Sequence, residues 1–262
     1  MRTFLYNSVA LLKSVARPVF RSMFSSTQTG PLNQNANRAS EAVYSGLNEL
    51  DRRIEKYLDF DGGYYVELGA NDGVRFSNTY YFERNRNWRG VLIEAAPNRY
   101  LDCVRNRGGQ SNAVVCAACV SFEYKAEFVK MIYCDLMSVP CGVETDIADA
   151  SAHTSVGQQF LVQGERLFVF GAIARTLNSI LIDASAPQMI DFMSLDVEGG
   201  ELEVLKGVDH DHFRFRYLLV ESRNVEKLRA YLGPLGYRLV ERFDDHDYLF
   251  EDAMGKPALP TA

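Results

Sequence analysis

A chain of 262 residues, 47% hydrophobic and 24% charged, holds the material for one α/β domain with appendages. Its formal charge of −6 argues against a general nucleic-acid binder, which requires a basic surface. Five cysteines, an odd number, do not make a secreted disulfide framework and fit a reducing compartment.

Residues 1–40 stand apart from the rest. They contain no acid, yet they carry Arg2, Lys13, Arg17, Arg21 and Arg38. Lys13, Arg17 and Arg21 share one stripe of a helix, and Leu5, Val9, Leu12, Val15, Val19 and Met23 can gather on another. Pro18 interrupts or kinks that helix, and a polar linker from Ser25 to Pro31 follows. An acid-free, Ser-rich, basic amphipathic start resembles a mitochondrial-type transit peptide. A disordered tail and a membrane-surface helix are the alternatives. The expected location is therefore cytoplasmic or organellar. Lys13 cuts the apolar run Val9–Leu12 short, so no transmembrane segment is expected.

The main domain is expected over 41–252, with an insertion at about 121–174 and a tail at 253–262. Val43, Leu47, Leu50, Ile54 and Leu58 fall at helical spacing, which predicts a helix over Glu41–Leu58, ended by Asp61-Gly62-Gly63. Short apolar runs then follow at Tyr64–Leu68, Gly90–Glu94, Ala113–Val120, Asp191–Asp196, Arg216–Glu221, Tyr237–Arg242 and Asp247–Phe250. The first five are near-continuously apolar, as parallel strands covered on both faces are. Asn98–Asn106, Glu201–Lys206 and Val225–Leu232 are expected as crossover helices. Only a polar turn at Asp244-Asp245-His246 separates the last two strands, so they should form an antiparallel hairpin. The expected fold is α/β, a mostly parallel seven-stranded sheet with that hairpin at its C-terminal end. The stretch from Val120 to Arg175 is too long for a simple connection, and it reads either as a lid or binding loop or as a surface elaboration.

Three motifs carry chemistry. In Val66-Glu67-Leu68-Gly69-Ala70-Asn71-Asp72-Gly73, Gly69 and Gly73 allow a tight strand-to-helix turn whose free N–H groups can face a polar ligand. Asn71 stands where a dinucleotide fingerprint has its middle glycine, and no phosphate loop is present. Glu67, late in the strand, could meet an ammonium group. Its bland reading is a satisfied carboxylate beside a surface turn. Glu94 ends the next strand about twenty residues on, where Rossmann-type sites hydrogen-bond ribose hydroxyls. Together the two suggest a nucleoside-containing cofactor.

The third motif runs from Ser194 to Gly207. On an extended strand Asp196 and Glu198 would project to one face, at the strand end where ligands bind in open α/β sheets. Neighbouring carboxylates can raise one another's pKa and so supply a general base. They could also hold a hard divalent metal such as Mg²⁺, with Glu221 completing the set, or cap the helix near Glu201. No residue is assigned to metal. His153 and His246 are secondary candidates for a base, and a lone loop histidine is usually solvated. Cys116 and Cys119 have the spacing of a zinc half-site, but on a strand they point to opposite faces, and Cys134 and Cys141 form no second close pair.

These blocks, VELGANDG, Phe76-Ser77-Asn78-Thr79, Leu92-Ile93-Glu94-Ala95-Ala96-Pro97 and SLDVEGGELEVLKG, together resemble the FkbM-type methyltransferases. Arg175–Leu181, Leu218–Glu221 and Tyr248-Leu249-Phe250 fit as well, and the resemblance extends from about Gly62 to Phe250. It implies a class I, Rossmann-like fold, S-adenosylmethionine as methyl donor, and O-methylation of sugars or related hydroxyl compounds. It also implies that Glu67, Gly69, Asn71 and Gly73 cradle the methionine end with Ser77 or Asn78 nearby. Glu94 would hold ribose, and Ala117 or Ala118 would line adenine. Two departures stand out. Ala95-Ala96-Pro97 replaces the family's Pro-Asn or Pro-Ser after the acid, and Asn178 replaces its usual Asp. Asp196 is the first candidate base, with Glu198 orienting the acceptor or sharing the proton. The expected partner is a small-molecule or glycan acceptor. Methylation of protein or lipid, and a binding or assembly factor without turnover, are the alternatives.

Overall fold

Alternation along the apolar runs decides the architecture: successive side chains of one strand enter opposite cores, so each run must be covered on both sides. In the computed structural model, residues 44–109 and 111–254 are described. The expected targeting segment, the first residues of the 41–58 helix and residues 255–262 of the tail lie outside them. The strands are β1 (Tyr64–Leu68), β2 (Arg89–Glu94), β3 (Asn112–Cys116), β4 (Ala118–Cys119), β5 (Phe128–Tyr133), β6 (Val139–Cys141), β7 (Phe168–Arg175), β8 (Met189–Leu195), β9 (Arg214–Glu221), β10 (Tyr237–Arg242) and β11 (Asp247–Asp252).

Seven of them form one sheet in the order β10-β11-β9-β8-β1-β2-β3. The β1, β2, β3, β8 and β9 pairings are parallel, while β11 runs antiparallel to both of its neighbours. The chain therefore leaves β1 toward β2 and β3, then returns to its other side at β8. That reversal opens a crevice at the carboxyl ends of β1 and β8, where α/β sheets bind ligands. This is the Rossmann-like methyltransferase layout, with the expected C-terminal hairpin. Asp244 shapes the hairpin turn by accepting the His246 and Asp247 N–H groups at 2.9 and 3.1 Å.

One core contains Val66, Leu68, Val91, Ile93, Met193, Leu195, Leu218 and Val220, covered by Leu177, Ile180, Leu181, Leu228 and Leu232 of the helices Leu177–Asp183 and Val225–Leu232. The other holds the alternate residues Tyr65, Leu92, Phe192, Leu219 and Leu249. Against them lie Leu50, Ile54, Phe82, Trp88 and Cys103.

Three expectations change. The 41–58 helix contracts to a 3-10 turn, Leu47–Glu49, and an α-helix, Leu50–Glu55. Asn48 and Glu49 take positive φ, and the buried Asp51 carboxylate accepts the Ser45 N–H at 2.7 Å, an alternative to helical bonding. The strand expected over Ala113–Val120 divides at Ala117. Cys116 pairs with Glu94 in the large sheet, while Ala118 and Cys119 pair with Ala174 and Arg175 in another. That second sheet, ordered β4-β7-β5-β6, is what the 121–174 stretch builds, together with the helix Ala150–Gly157. Among the described residues no helix is long and apolar enough to cross a membrane.

Candidate active site

The turn after β1 is shaped by crowding. Gly69 has φ +76°, and a Cβ there would fall 1.8 Å from the Asp196 carbonyl oxygen. Gly69 and Ala70 both donate N–H bonds to the Ile93 carbonyl at 3.1 Å, which fastens the turn to the end of β2. Asn71, at φ +47°, donates its N–H to Glu94 Oε2 at 2.8 Å, and Glu94 Oε1 accepts the Ala96 N–H at 2.7 Å. Glu94 is thus buried with one bond on each oxygen, and each oxygen keeps a second lone pair. Burial raises its pKa, and the two N–H donors and Arg99 only partly offset this.

The helix expected directly after Gly73 begins only at Tyr80. Asp72 folds the intervening segment back by accepting the Val74 and Arg75 N–H groups at 2.9 and 2.7 Å. No helix N-terminus therefore lies at this turn. Gly73 is needed elsewhere: at φ +80°, its Cβ would sit 2.6 Å from Arg107 Cγ. Glu67 is also occupied differently from its expected role. Its carboxylate accepts bonds from Ser77 Oγ (2.8 Å), the Asn78 N–H (3.0 Å) and Thr79 Oγ1 (2.6 Å), with Arg107 at 3.5 Å. It anchors the Ser77–Thr79 segment, and burial raises its pKa against these donors. The Asn78 side chain donates to Ser194 Oγ at 3.1 Å and does not line the cleft.

That cleft opens partly to solvent. Gly69, Asn71, Ser77, Glu94, Ala117, Asp196 and Glu198 line it, with Met131 and Pro140 from the second sheet and Asp135 from the turn between β5 and β6. Of the residues expected to hold the cofactor, Gly73 and Asn78 stand outside it, as do Glu221, His153 and His246 among the other candidates.

Next to the turn after β1, Asp196, Glu198 and Glu221 bring carboxylate oxygens within 4.8 Å of one another. The expected reason, strand alternation, does not apply, because β8 ends at Leu195. A turn with Glu198 at φ +56° and Gly199 at φ +98° curls the carboxylate back instead. Neither acid caps the next helix. The helix residue Glu201 reaches backward and accepts the Val197 and Gly199 N–H groups at 3.1 and 3.0 Å. Burial, with Asp146 nearby, pushes Glu201 up to about 8.

His153 Nε2 lies 3.0 Å from the Glu198 carboxylate, which accepts an Arg223 N–H at 3.1 Å; the same Arg223 nitrogen lies 3.4 Å from Glu221. Burial alone would raise Glu198, but the His153 bond and the Arg223 charge outweigh it and hold it below its usual range. Asp196 goes the other way. The side chain opens to the cleft, yet surrounding protein displaces its water, and Glu221, Glu198 and Glu201 add negative charge, so its pKa rises well above the usual range. Burial and Glu198 push Glu221, hydrogen-bonded to Asp196, up to about 7. His246 is not in the Glu198 pair, and burial lowers its pKa.

The methyltransferase FkbM domain matches residues 67–248 of the sequence. The chain belongs to the FkbM methyltransferase family. It is an S-adenosylmethionine-dependent methyltransferase. No curated protein matches it significantly. Solved structures similar to it include a putative RNA methyltransferase from Pyrococcus horikoshii, with 10% identity over 79% of this chain and 81% of that one and a TM-score of 0.40. A precorrin-6y C5,15-methyltransferase from Geobacter metallireducens shares 12% identity over 82% and 91%, with a TM-score of 0.41. A human methyltransferase 10 domain containing protein shares 11% over 96% and 98%, with a TM-score of 0.43.

The cleft of this FkbM methyltransferase fits its donor in chemistry. Glu94 retains lone pairs for hydroxyl donors, and the small, buried Ala117 leaves room beside it for a flat ring. A divalent cation fits less well. The three carboxylates are suitable oxygen donors, but Arg223 and His153 already supply positive or hydrogen-bonding partners to Glu198, and Arg223 reaches Glu221. The five cysteines are free, and the break at Ala117 puts Cys116 and Cys119 on different sheets. No sequence pattern marks Asp135, Arg75 or Arg99. Arg223 had one visible signal: a base two residues after the acid that ends a buried strand.

Proposed function

We propose that the enzyme O-methylates a hydroxyl of a sugar or related small molecule, with Asp196 as the general base. The observation that carries this reading is the Asp196–Glu221 pair beside the cofactor turn, with the Asp196 backbone in contact with Gly69. S-adenosylmethionine, when bound, supplies an electrophilic methyl group on a sulfonium. Glu94 is suited to its ribose, Gly69 and Asn71 to its methionine end, and Ala117 to its adenine; Glu67 and Ser77 shape the wall beside them. A hydroxyl is a poor nucleophile until its proton leaves, and the carboxylate of Asp196 is placed to take that proton, the sulfonium departing as the neutral thioether when its methyl is transferred. A raised pKa brings Asp196 closer to the strength this task needs. Glu221 shares the proton, while Glu198, kept ionised by His153 and Arg223, is free to orient another acceptor hydroxyl. Positioning within the cleft contributes the rest of the acceleration.

The test is incubation with labelled S-adenosylmethionine and a panel of glycans, lipids and small polyols, followed by mass spectrometry. Asp196→Asn should abolish transfer and leave S-adenosylhomocysteine binding intact; undiminished transfer would dismiss Asp196 as the base. Chelation with EDTA in the same assay should leave the rate unchanged, since Arg223 supplies the cationic partner. A loss restored by Mg²⁺ would reassign the carboxylates to a metal.

A further inference from the structure

The second sheet contributes one acid to the cofactor side of the cleft. Asp135 follows β5, its side chain is fully buried, and it lines the cleft. Its φ of +52° is uncommon for a residue with a side chain, and Ser138 secures it by donating Oγ and N–H bonds to its carbonyl at 2.7 and 3.3 Å. Two donors bond the carboxylate, Asn71 Nδ2 at 3.0 Å and Arg75 at 2.9 Å, and the Arg99 guanidinium forms an ion pair with it at 2.8 Å. Asn71 is thereby fixed from every side, since its N–H goes to Glu94 and its Oδ1 accepts the Asp72 N–H at 2.8 Å.

We propose that Asp135 is a positioning residue for the methyl donor, holding Asn71 and Arg75 so that the turn after β1 keeps its binding shape. This rests on the assignment of that turn to S-adenosylmethionine. Asp135 lies in the turn between β5 and β6 of the second sheet and not in the large sheet, so part of the donor site comes from that excursion. The competing role is a plain tether between the two sheets. The molecule contains an internal control for it. Glu165 ties the same excursion to Arg99, accepting it at 2.7 Å and Tyr133 Oη at 2.8 Å, without touching the turn after β1 or lining the cleft.

Calorimetric titration of the full chain with S-adenosylhomocysteine separates the two roles. Asp135→Asn is expected to weaken binding by about tenfold or more, as displaced binding groups do. Glu165→Gln should stay within about twofold, because it cuts the tether alone. Asn71→Ala should reproduce the Asp135→Asn loss, and the double variant should add little to either, the mark of residues acting through one contact. Wild-type affinity in a folded Asp135→Asn variant, an equal loss in Glu165→Gln, or additive losses in the double variant would each overturn the proposal. If Asp135→Asn does not fold, Asn71→Ala decides, and unchanged affinity there overturns it. Wild-type protein that fails to bind S-adenosylhomocysteine would defeat the cofactor assignment itself, and the proposal with it.

Discussion

Gly69 and Asp196 meet backbone to backbone: the space where a Gly69 side chain would stand is filled by the Asp196 carbonyl oxygen. The end of β1 and the end of β8 are therefore in direct contact, and the proposed donor turn and the proposed base share one support. Gly69→Ala must move that carbonyl while straining a φ of +76°. The expected cost is about 3 kcal/mol in urea unfolding, from overpacking plus left-handed backbone strain. S-adenosylhomocysteine binding should be lost with it. A variant within about 1 kcal/mol of wild type would show that the two strand ends can move apart.

The carboxylate cluster sets the pH dependence of transfer. Asp196 and Glu221 form a hydrogen-bonded pair with raised pKa values, Glu221 at about 7, so the rate should climb as pH rises through that region. Glu198 raises both through its negative charge. In Glu198→Gln that charge is gone, and the acid limb should move to lower pH. A limb that stays in place or moves upward would exclude this electrostatic coupling.

Glu201 links the same region to stability. Its folded pKa of about 8 lies above its unfolded value, so the folded state favours the protonated form. That contribution is present in full below about pH 4.5 and disappears as pH rises through about 8. Glu201→Gln keeps an oxygen for the Val197 and Gly199 N–H groups and removes the titration. The wild-type melting temperature should fall between pH 6 and 9 by more than that of the variant. Parallel curves would mean that Glu201 is not what titrates.

Much of the large sheet was legible because its signal is local. Tyr64–Leu68 and Tyr237–Arg242 have the expected bounds, and the hairpin turn announces itself through Asp244. The crossover helix Val225–Leu232 was equally plain, its Leu228 and Leu232 falling one turn apart on a buried face. Strand order was not legible, since it depends on contacts between distant residues. Within the site, the proximity of Asp196 and Glu198 was anticipated for a reason that does not hold: the left-handed turn at Glu198 and Gly199 does what strand alternation was expected to do. Glu67 misled because a carboxylate late in a strand looks the same in sequence whether it meets a ligand or three donors from its own chain. Asp135 left no trace, as its partners Asn71, Arg75 and Arg99 lie 64, 60 and 36 positions away by residue number.

The second sheet begins and ends side by side. Ala118 and Cys119 pair with Ala174 and Arg175, and the Val120 N–H bonds to the Arg175 carbonyl at 3.0 Å. The whole excursion is clasped at its base, like a bag drawn shut at the neck. Lengthening or shortening it beyond the clasp adds only a logarithmic closure entropy and leaves the register of the large sheet untouched. Away from Asp135, which reaches back to the turn after β1, such a segment can take insertions and deletions while the large sheet stays as it is.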